Sequence, residues 1–405
     1  MLMDLWQKVD ALGEAAQFDI CRGCGTHTGR VRDDVGRWIY PAVRPDGKRV
    51  SMLKVLQSNY CENDCAYCAH RSGRDCRRTS FSPDELARIF DRLARQGRVE
   101  GLFLSSGVWG GSNRATERML DTVAIIRRHY HFDGYVHLKI LPGADEASIE
   151  ASVKMANRVS VNLEAPNAQR LRAITGAKDF ERDLLGPLRT ADRVRRQMGR
   201  AVSITTQFVV GASDEPDREL LASAAALYEH LRLARVYYSA FQPVRGTPLE
   251  DHPPTPTWRE HRLYQADFLL RQYGFRFQDL GFGLDGNLPR DRDPKLDWAL
   301  RHPECFPVEV NRASRAWLLR VPGIGPISVR RIMGRRRQAA LRDLDHLGIT
   351  AAGARRAAPF VLLDGRRPSF QLGLWGVGPT AIRALEPVPD ADATTRVFDN
   401  SLLAV

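Results

Sequence analysis

Two periodicities alternate along the chain. Apolar-rich runs of strand length occur at "SMLKVLQ" (51–57), "EGLFLSS" (100–106), "GYVHLKIL" (134–141), "RVSVNLE" (158–164), "AVSITTQFVVG" (201–211) and "ARVYYSAF" (234–241). Between them, apolar residues recur at helical spacing in "FSPDELARIFDRLARQG" (81–97), "ATERMLDTVAIIRRHY" (115–130), "DEASIEASVKMA" (145–156) and "EPDRELLASAAALYEHLRL" (215–233). The first of these helices carries its own start signal, with Ser82 as N-cap, Pro83 at the first position and Glu85 at the third. A last amphipathic helix, "TWREHRLYQADFLLRQYG", stops at Gly274.

About six strand–helix units call for a parallel sheet with crossover helices, either an open doubly wound sheet or a full or partial barrel. In a barrel the functional loops follow the C-terminal strand ends. The loop after the first strand and "SSGVWGGSN" after the second then share one rim. From about residue 300 the pattern turns to short, arginine-dense helices, and "EPVPDADATTRVFDNSLLAV" has the composition of a flexible tail. The expected layout is a lead-in over 1–50, an α/β barrel-type domain over 51–290, an all-α domain over 300–365 and an extension over 366–405.

Composition narrows this. The 405 residues are 43% hydrophobic and 27% charged, a globular mixture. No apolar stretch is long enough to span a bilayer, and the N-terminus lacks a secretory pattern, so a cytoplasmic protein with no membrane association is expected. The net charge of +12 favours a polyanionic partner, although an arginine-rich composition alone produces the same number.

Seven cysteines in such a chain argue for metal or thiol chemistry rather than disulfides. Cys61, Cys65 and Cys68 crowd into "CENDCAYC", while Cys21, Cys24, Cys76 and Cys305 are scattered and keep no assigned role. A structural zinc site wants four ligands, usually as two pairs, and no matching pair follows. His70 is a cramped fourth ligand. Three thiolates on one loop suit three corners of a cubane cluster with one iron left open. Cys21, Cys24 and His27 are at most half of a second metal site.

The C-x-x-x-C-x-x-C spacing, with Tyr67 before the last cysteine, resembles the signature of the radical SAM superfamily. The resemblance implies a (βα)6 partial TIM-type barrel with a [4Fe–4S] cluster whose open iron chelates S-adenosyl-L-methionine. It further implies reductive cleavage to a 5′-deoxyadenosyl radical and dependence on an external electron donor. "LSSG" (104–107) matches the glycine-rich turn that faces the methionine amino group, with Gly107 in it and Ser105 and Ser106 where the usual acidic residue is absent. "SVNLE" matches the strand end near ribose and carboxylate, which points to Ser160, Asn162 and Glu164 on one strand face. "QFVVGASD" resembles the adenine-supporting G-x-I-x-G-x-x-E turn. Val209 and Gly211 match there, Gln207 replaces the first glycine and Asp214 the glutamate. "FQPVRGTPLE" (241–250) resembles the loop after the sixth strand.

Near the end, "AWLLRVPGIGPISVRRIMGRRR" (316–337) reads as helix, P-G-I-G-P turn, helix. Gly323 and Gly325 permit a tight turn and close backbone approach, and the second helix's N-terminus suits a phosphate. Arg330, Arg331, Arg335, Arg336 and Arg337 add charge without base readout. This resembles the helix-hairpin-helix module that grips DNA backbones, and "GVGPTAIR" (376–383) is a faint echo of it. Barrel and hairpin together look like the bacterial radical SAM group assigned to DNA modification or repair. That resemblance implies DNA as partner and a uracil-DNA-glycosylase-like protein as associate.

Arg71, Arg74, Arg77 and Arg78 follow the cysteine loop, either as guides for a phosphate backbone or as a solvated loop. His137, Lys139, Tyr237 and Tyr238 lie on or near strand ends, where packing and surface placement are the default roles. Rival readings are a radical SAM enzyme acting on RNA, one that modifies a protein, and a non-enzymatic zinc-containing DNA-binding protein.

Overall fold

The computed structural model describes residues 4–16, 38–43, 49–199 and 201–368. Cys21, Cys24, His27, the echo at 376–383 and the expected tail lie outside these residues. The described residues divide into two compact units, the first made of those up to Glu215 with Ala226–Glu260, the second of Pro216–Ala225 with residues 261–368.

The first unit opens with α1 (Leu5–Ala15). A hairpin of β1 (Ile39–Val43) and β2 (Arg49–Leu56) follows, antiparallel with Ile39 opposite Leu53. From β2 onward every pairing is parallel: β3 (Gly101–Ser105), β4 (Tyr135–Lys139), β5 (Arg158–Ser160), β6 (Ser203–Val210) and β7 (Arg235–Ala240). The sheet order is sequential, β1 to β7, so the six expected strands form a curled half-barrel with one antiparallel strand added at its edge. Sequence periodicity did not predict β1; its five residues include Pro41, which fits only an edge.

Crossover helices α2 (Pro83–Arg95), α3 (Ser112–Arg128) and α4 (Glu146–Met155) match the periodic segments. The N-terminus of α2 is the capping box expected: Ser82 accepts from the Glu85 amide at 3.2 Å, and Glu85 from the Ser82 amide at 2.9 Å. The stretch between β5 and β6 holds α5 (Ala168–Arg172), a π-helical turn (Phe180–Leu185) and α6 (Gly186–Gln197), none of them expected. Then come α7 (Asp217–Leu231) and α8 (Thr257–Gln272), the latter followed by Gly274 in a left-handed conformation.

Alternation decides what each sheet face does. Leu53, Val55, Leu102, Leu104, Val136, Val159, Ile204 and Val236 are fully buried on the face the helices cover. The other face carries Lys54, Phe103, His137, Lys139, Arg158, Ser160, Thr205 and Tyr237 and lines the lumen.

The second unit is built from short helices: α9 (Pro294–Arg301), α10 (Arg315–Arg320), α11 (Pro326–Arg335) and α12 (Ala351–Ala357). A two-residue parallel pair, β8 (Val308–Glu309) with β9 (Val361–Leu362), ties its ends together. Leu318, Val321, Ile324, Val329, Ile332 and Leu347 form its buried core. The Arg320 guanidinium lies 3.8 Å from the Phe275 ring centre and 4.6 Å from that of Trp298, and donates to Asp279 at 3.0 Å. No helix among the described residues is long and apolar enough to cross a membrane.

Candidate metal centre and cofactor site

Cys61, Cys65 and Cys68 stand on the loop that leaves the C-terminal end of β2, and all three are free thiols. Their side chains lie within electrostatic reach of one another. The Cys68 thiol is pushed up to about 12, first by burial and then by the charges of Cys65 and Cys61. A buried thiol that resists ionising is relieved by a cation, and this set of three donors fits a metal cluster held at three corners.

The polar residues between the cysteines are anchors. Glu62 accepts from the Gly110 amide at 2.6 Å, and its own amide donates to Val108 O at 2.8 Å, joining the loop to the turn after β3. Asp64 accepts from Thr175 Oγ1 at 2.5 Å and from the Gly176 and Ala177 amides at 3.0 and 3.1 Å. Burial alone would raise the Asp64 carboxyl, but these bonds more than offset it and hold it below the usual carboxylate range. Ala66 adds an amide bond to Ile174 O at 2.8 Å. The loop is thus clamped to two others before any ligand arrives.

Arginine completes the brace. Arg78 donates to four carbonyls, those of Asn59, His70, Arg71 and Arg74, at 2.5 to 3.1 Å. Arg71 holds Asp64 O at 3.2 and 3.3 Å, and Arg74 holds Ala69 O at 2.9 Å and Arg245 O at 3.0 Å. Three of the four arginines expected to face a phosphate backbone or solvent are therefore turned inward onto loop carbonyls; Arg77 is exposed. The His70 ring sits 3.3 Å from Ala15 O, and its amide donates to Cys68 Sγ at 3.4 Å, which makes it a neighbour of the cysteines.

The residues expected to hold S-adenosylmethionine divide. Ser105 is buried at the end of β3, Ser106 Oγ donates to Gly107 O at 2.8 Å, and Gly107 packs directly on the cysteine loop. A Cβ on Gly107 would stand 2.1 Å from Tyr60 O and 3.1 Å from Cys61 Cβ. Asn162 is buried, and Ser160 Oγ is 2.9 Å from His137 Nε2, inside the lumen.

Strand alternation was the reason for grouping Ser160, Asn162 and Glu164, and it fails beyond Ser160, where β5 ends. Glu164 has φ +62°, held there by bonds of its amide to Gln207 O (3.0 Å) and of Val209 N to its carbonyl (2.8 Å). Its buried carboxylate takes a hydrogen bond from Tyr67 and lies 3.9 Å from Lys178 Nζ. Burial alone would push the buried Lys178 down, but its interactions with Cys65, which it also hydrogen-bonds, and with Glu164 more than offset this and hold it above its ordinary value. Burial and then Glu164 push the Tyr67 hydroxyl well up. Tyr67, Glu164 and Lys178 thus form a polar wall beside the cysteines. Lys178 lies in a stretch with no strong periodicity, so no sequence signal marked it.

The turn after β6 contains one correction. Gly211 is left-handed (φ +85°), as its match requires, and Val209 sits just before it. The acid that closes the turn is Glu215, not Asp214. Glu215 accepts from the Gly211 amide at 2.5 Å and the Ser213 hydroxyl at 2.8 Å, whereas the Asp214 side chain is 82% exposed. Alignment to a fixed spacing put the role one residue early.

In the second unit, Gly323 is left-handed (φ +80°) in the turn between α10 and α11, and a Cβ there would stand 2.3 Å from Gly353 O. Gly325 is the N-cap of α11. Arg331 and Arg335 are exposed but donate to Gly348 O at 3.1 Å and His346 O at 2.9 Å, while Arg336 donates to Val310 O and Ala313 O. Arg330 and Arg337 point to solvent.

Comparison with known proteins agrees with the cysteine geometry. The sequence model of the radical SAM superfamily matches residues 55–227. A biotin synthase from Leptospira biflexa serovar Patoc is 22% identical over 242 residues, covering 58% of this chain and 65% of its own length. The chain thus spans about two thirds of that relative. Among solved structures, methylornithine synthase (PylB) superposes with a TM-score of 0.46 at 15% identity, covering 54% of this chain and 61% of that one. The FeFe-hydrogenase maturase HydG from Carboxydothermus hydrogenoformans gives 0.46 at 15% identity, covering 54% and 51%. Residues 55–227, which carry the three free cysteines at the rim of a parallel half-barrel, match the radical SAM superfamily, whose members use a [4Fe–4S] cluster and S-adenosylmethionine.

Proposed function

We propose that the chain is a radical SAM enzyme acting on DNA, with Cys61, Cys65 and Cys68 holding a [4Fe–4S] cluster. The observation that carries the enzymatic part is the free cysteine triplet, clamped by Asp64 and Glu62 at the C-terminal end of β2. Once bound, the cluster and S-adenosylmethionine supply a 5′-deoxyadenosyl radical. The chain's own residues position and shield. The Tyr67–Glu164–Lys178 wall offers a carboxylate and an ammonium to the cofactor's polar groups. Ser105, Ser106 and Gly107 present the turn after β3 to it, Asn162 lies on the loop after β5, and Val209 and Gly211 lead into the turn closed by Glu215.

DNA is proposed from the second unit. The Gly323 turn, the N-terminus of α11 and exposed Arg330 and Arg337 form a surface suited to phosphates, in the manner of a helix-hairpin-helix. A net charge of +12 supports the same partner. A nucleotide reaching the lumen has to leave the duplex stack or come from a single strand.

The test is anaerobic reconstitution with S-adenosylmethionine and a chemical reductant, with and without duplex DNA or transfer RNA. The expected result is iron uptake that is lost when Cys61, Cys65 and Cys68 are replaced by Ala, and 5′-deoxyadenosine formation stimulated by DNA together with a mass change in the digested DNA. Cleavage indifferent to nucleic acid, or stimulated by transfer RNA alone, would reject DNA as substrate. Chelation of zinc in place of iron would reject the enzyme.

A further inference from the structure

Among the described residues, four large apolar side chains stand exposed: Tyr60, Trp109, Leu284 and Trp317. Leu284 and Trp317 belong to the second unit, and single exposed residues of this kind are ordinary. Tyr60 and Trp109 differ because they meet. They come from separate loops, Tyr60 directly before Cys61 and Trp109 from the turn after β3, yet their ring centres lie 5.1 Å apart with planes inclined by 26°. Even so stacked, the rings remain 36% and 43% exposed.

Both rings ride on backbone that is already fixed. The Gly107 amide donates to Ser58 O at 2.7 Å, the Glu62 amide to Val108 O at 2.8 Å, and the Gly110 amide to the Glu62 carboxylate at 2.6 Å. These bonds bracket Tyr60 on one loop and Trp109 on the other, so the pair is ordered before any partner arrives. Arg118, on α3, places its guanidinium 5.5 Å from the Trp109 ring centre. Exposed Arg114, one turn earlier on the same helix, runs along the turn itself: a Cβ on Gly110 would stand 3.2 Å from Arg114 Cδ. Two rings and two guanidiniums therefore share one small surface.

Large rings left in water forgo the free energy that their burial would contribute. A protein partner fits this surface poorly, because a stable interface covers about 800 Å² on each side, and no other large apolar side chain of the first unit is exposed among the described residues. A nucleotide fits it well. Every base offers a flat π-face to an aromatic ring, and its phosphate stands where a neighbouring guanidinium can meet it. The location agrees, since both loops leave the C-terminal ends of strands, β2 and β3, on the rim where substrate enters. We propose that the Tyr60–Trp109 pair is a stacking platform for one unpaired base of a DNA strand, with Arg114 and Arg118 placed for the phosphates beside it. This rests on the reading that the chain acts on DNA, and it deepens that reading. The platform holds a base by ring contact alone, so it is indifferent to sequence but requires a base outside the duplex stack.

The test uses the full-length chain and three labelled DNA duplexes that differ at one position: fully paired, with one unpaired thymine, and with an abasic residue in place of that thymine. Fluorescence anisotropy is expected to show the unpaired thymine bound about five-fold or more tightly than the abasic residue. Trp109→Ala and Tyr60→Ala should each bring that ratio close to one, Trp109→Phe should keep most of it, and Trp317→Ala should leave it unchanged. With 5-iodouracil in place of the unpaired thymine, irradiation of the wild-type complex should crosslink Tyr60 or Trp109, a readout that needs no variant to fold. Equal affinity for the thymine and abasic duplexes, a preference that survives Trp109→Ala, or a crosslink elsewhere would each overturn the platform. So would loss of the preference on adding S-adenosylmethionine, which would give the rings to the cofactor's adenine. If the duplexes bind without preference, this inference falls and the DNA reading stands. If none of them binds, both fall and the rings are left to a protein partner.

Discussion

The Asp64 carboxylate accepts the Thr175 hydroxyl at 2.5 Å, across a sequence separation of 111 residues. Asp64 stands next to Cys65, so this bond and the two amides beside it set where the cysteine loop meets the loop after α5. Hydrogen bonds to a charged acceptor contribute about 1.5–3 kcal/mol each. Asp64→Ala is therefore expected to leave the barrel folded but the loop loose, with iron per chain after anaerobic reconstitution falling below half of wild type. Thr175→Val removes one bond of three and should lie between the two. Wild-type iron content in Asp64→Ala would show that the clamp does not position the cysteines.

Gly107 makes the second clamp. Its missing side chain lets the turn after β3 lie against Tyr60 O, where a Cβ would come to 2.1 Å, and backbone cannot swing away as a long side chain does. Overpacking of this kind costs about 1–3 kcal/mol. Gly107→Ala should lower the denaturant midpoint and, by displacing Cys61, reduce iron loading. Substitution at Gly334 is the control, since nothing stands within 4 Å of its Cβ direction and its backbone is helical. Equal effects at the two glycines would refute the packing argument.

Much of this was legible in the sequence, and the exceptions have physical causes. Six strands followed from period-2 and period-3.6 patterns, because burial of alternating faces writes itself into composition, whereas their sequential order was implied only by the resemblance to the radical SAM barrel. The capping box at Ser82 and Glu85 and the left-handed Gly211 and Gly274 were likewise local facts. The edge strand β1 and the helices between β5 and β6 were missed, their segments lacking clean periodicity. Residues whose role depends on distant partners were also missed: Asp64 meets Thr175, and Lys178 meets Glu164, only after folding. The inward turn of Arg71, Arg74 and Arg78 belongs to the same class, since a loop's own carbonyls compete with solvent for arginine.

The displaced acid after β6 gives a sharp test of sequence spacing against geometry. Glu215 is 2% exposed and accepts from Gly211 N and Ser213 Oγ, whereas Asp214 faces solvent. Glu215→Ala should cost about 3 kcal/mol by stranding the Gly211 amide, and Asp214→Ala should stay within about 0.5 kcal/mol of wild type. Urea unfolding of both variants decides it. A larger loss at Asp214 would restore the role to the position that the motif spacing indicates.

The last prediction concerns the second unit, where buried Lys295 donates to Ile324 O at 2.5 Å inside the P-G-I-G-P turn. Burial first, and then Arg320, lower this lysine from its ordinary 10.5 to about 7, with Asp293 opposing the shift. The unfolded chain therefore keeps a proton on Lys295 between about pH 7 and 10.5 that the folded chain has released. Because the unfolded state binds more protons there, stability rises with pH across that window and is flat in this respect below it. Lys295→Met removes the titration. The stability difference between wild type and Lys295→Met should thus grow in favour of wild type from pH 7 to pH 9.5, as measured by denaturant unfolding of the full chain. A difference that is constant over this range, or that shrinks, would mean that Lys295 remains charged in the fold and that its bond to Ile324 is made by an ammonium throughout.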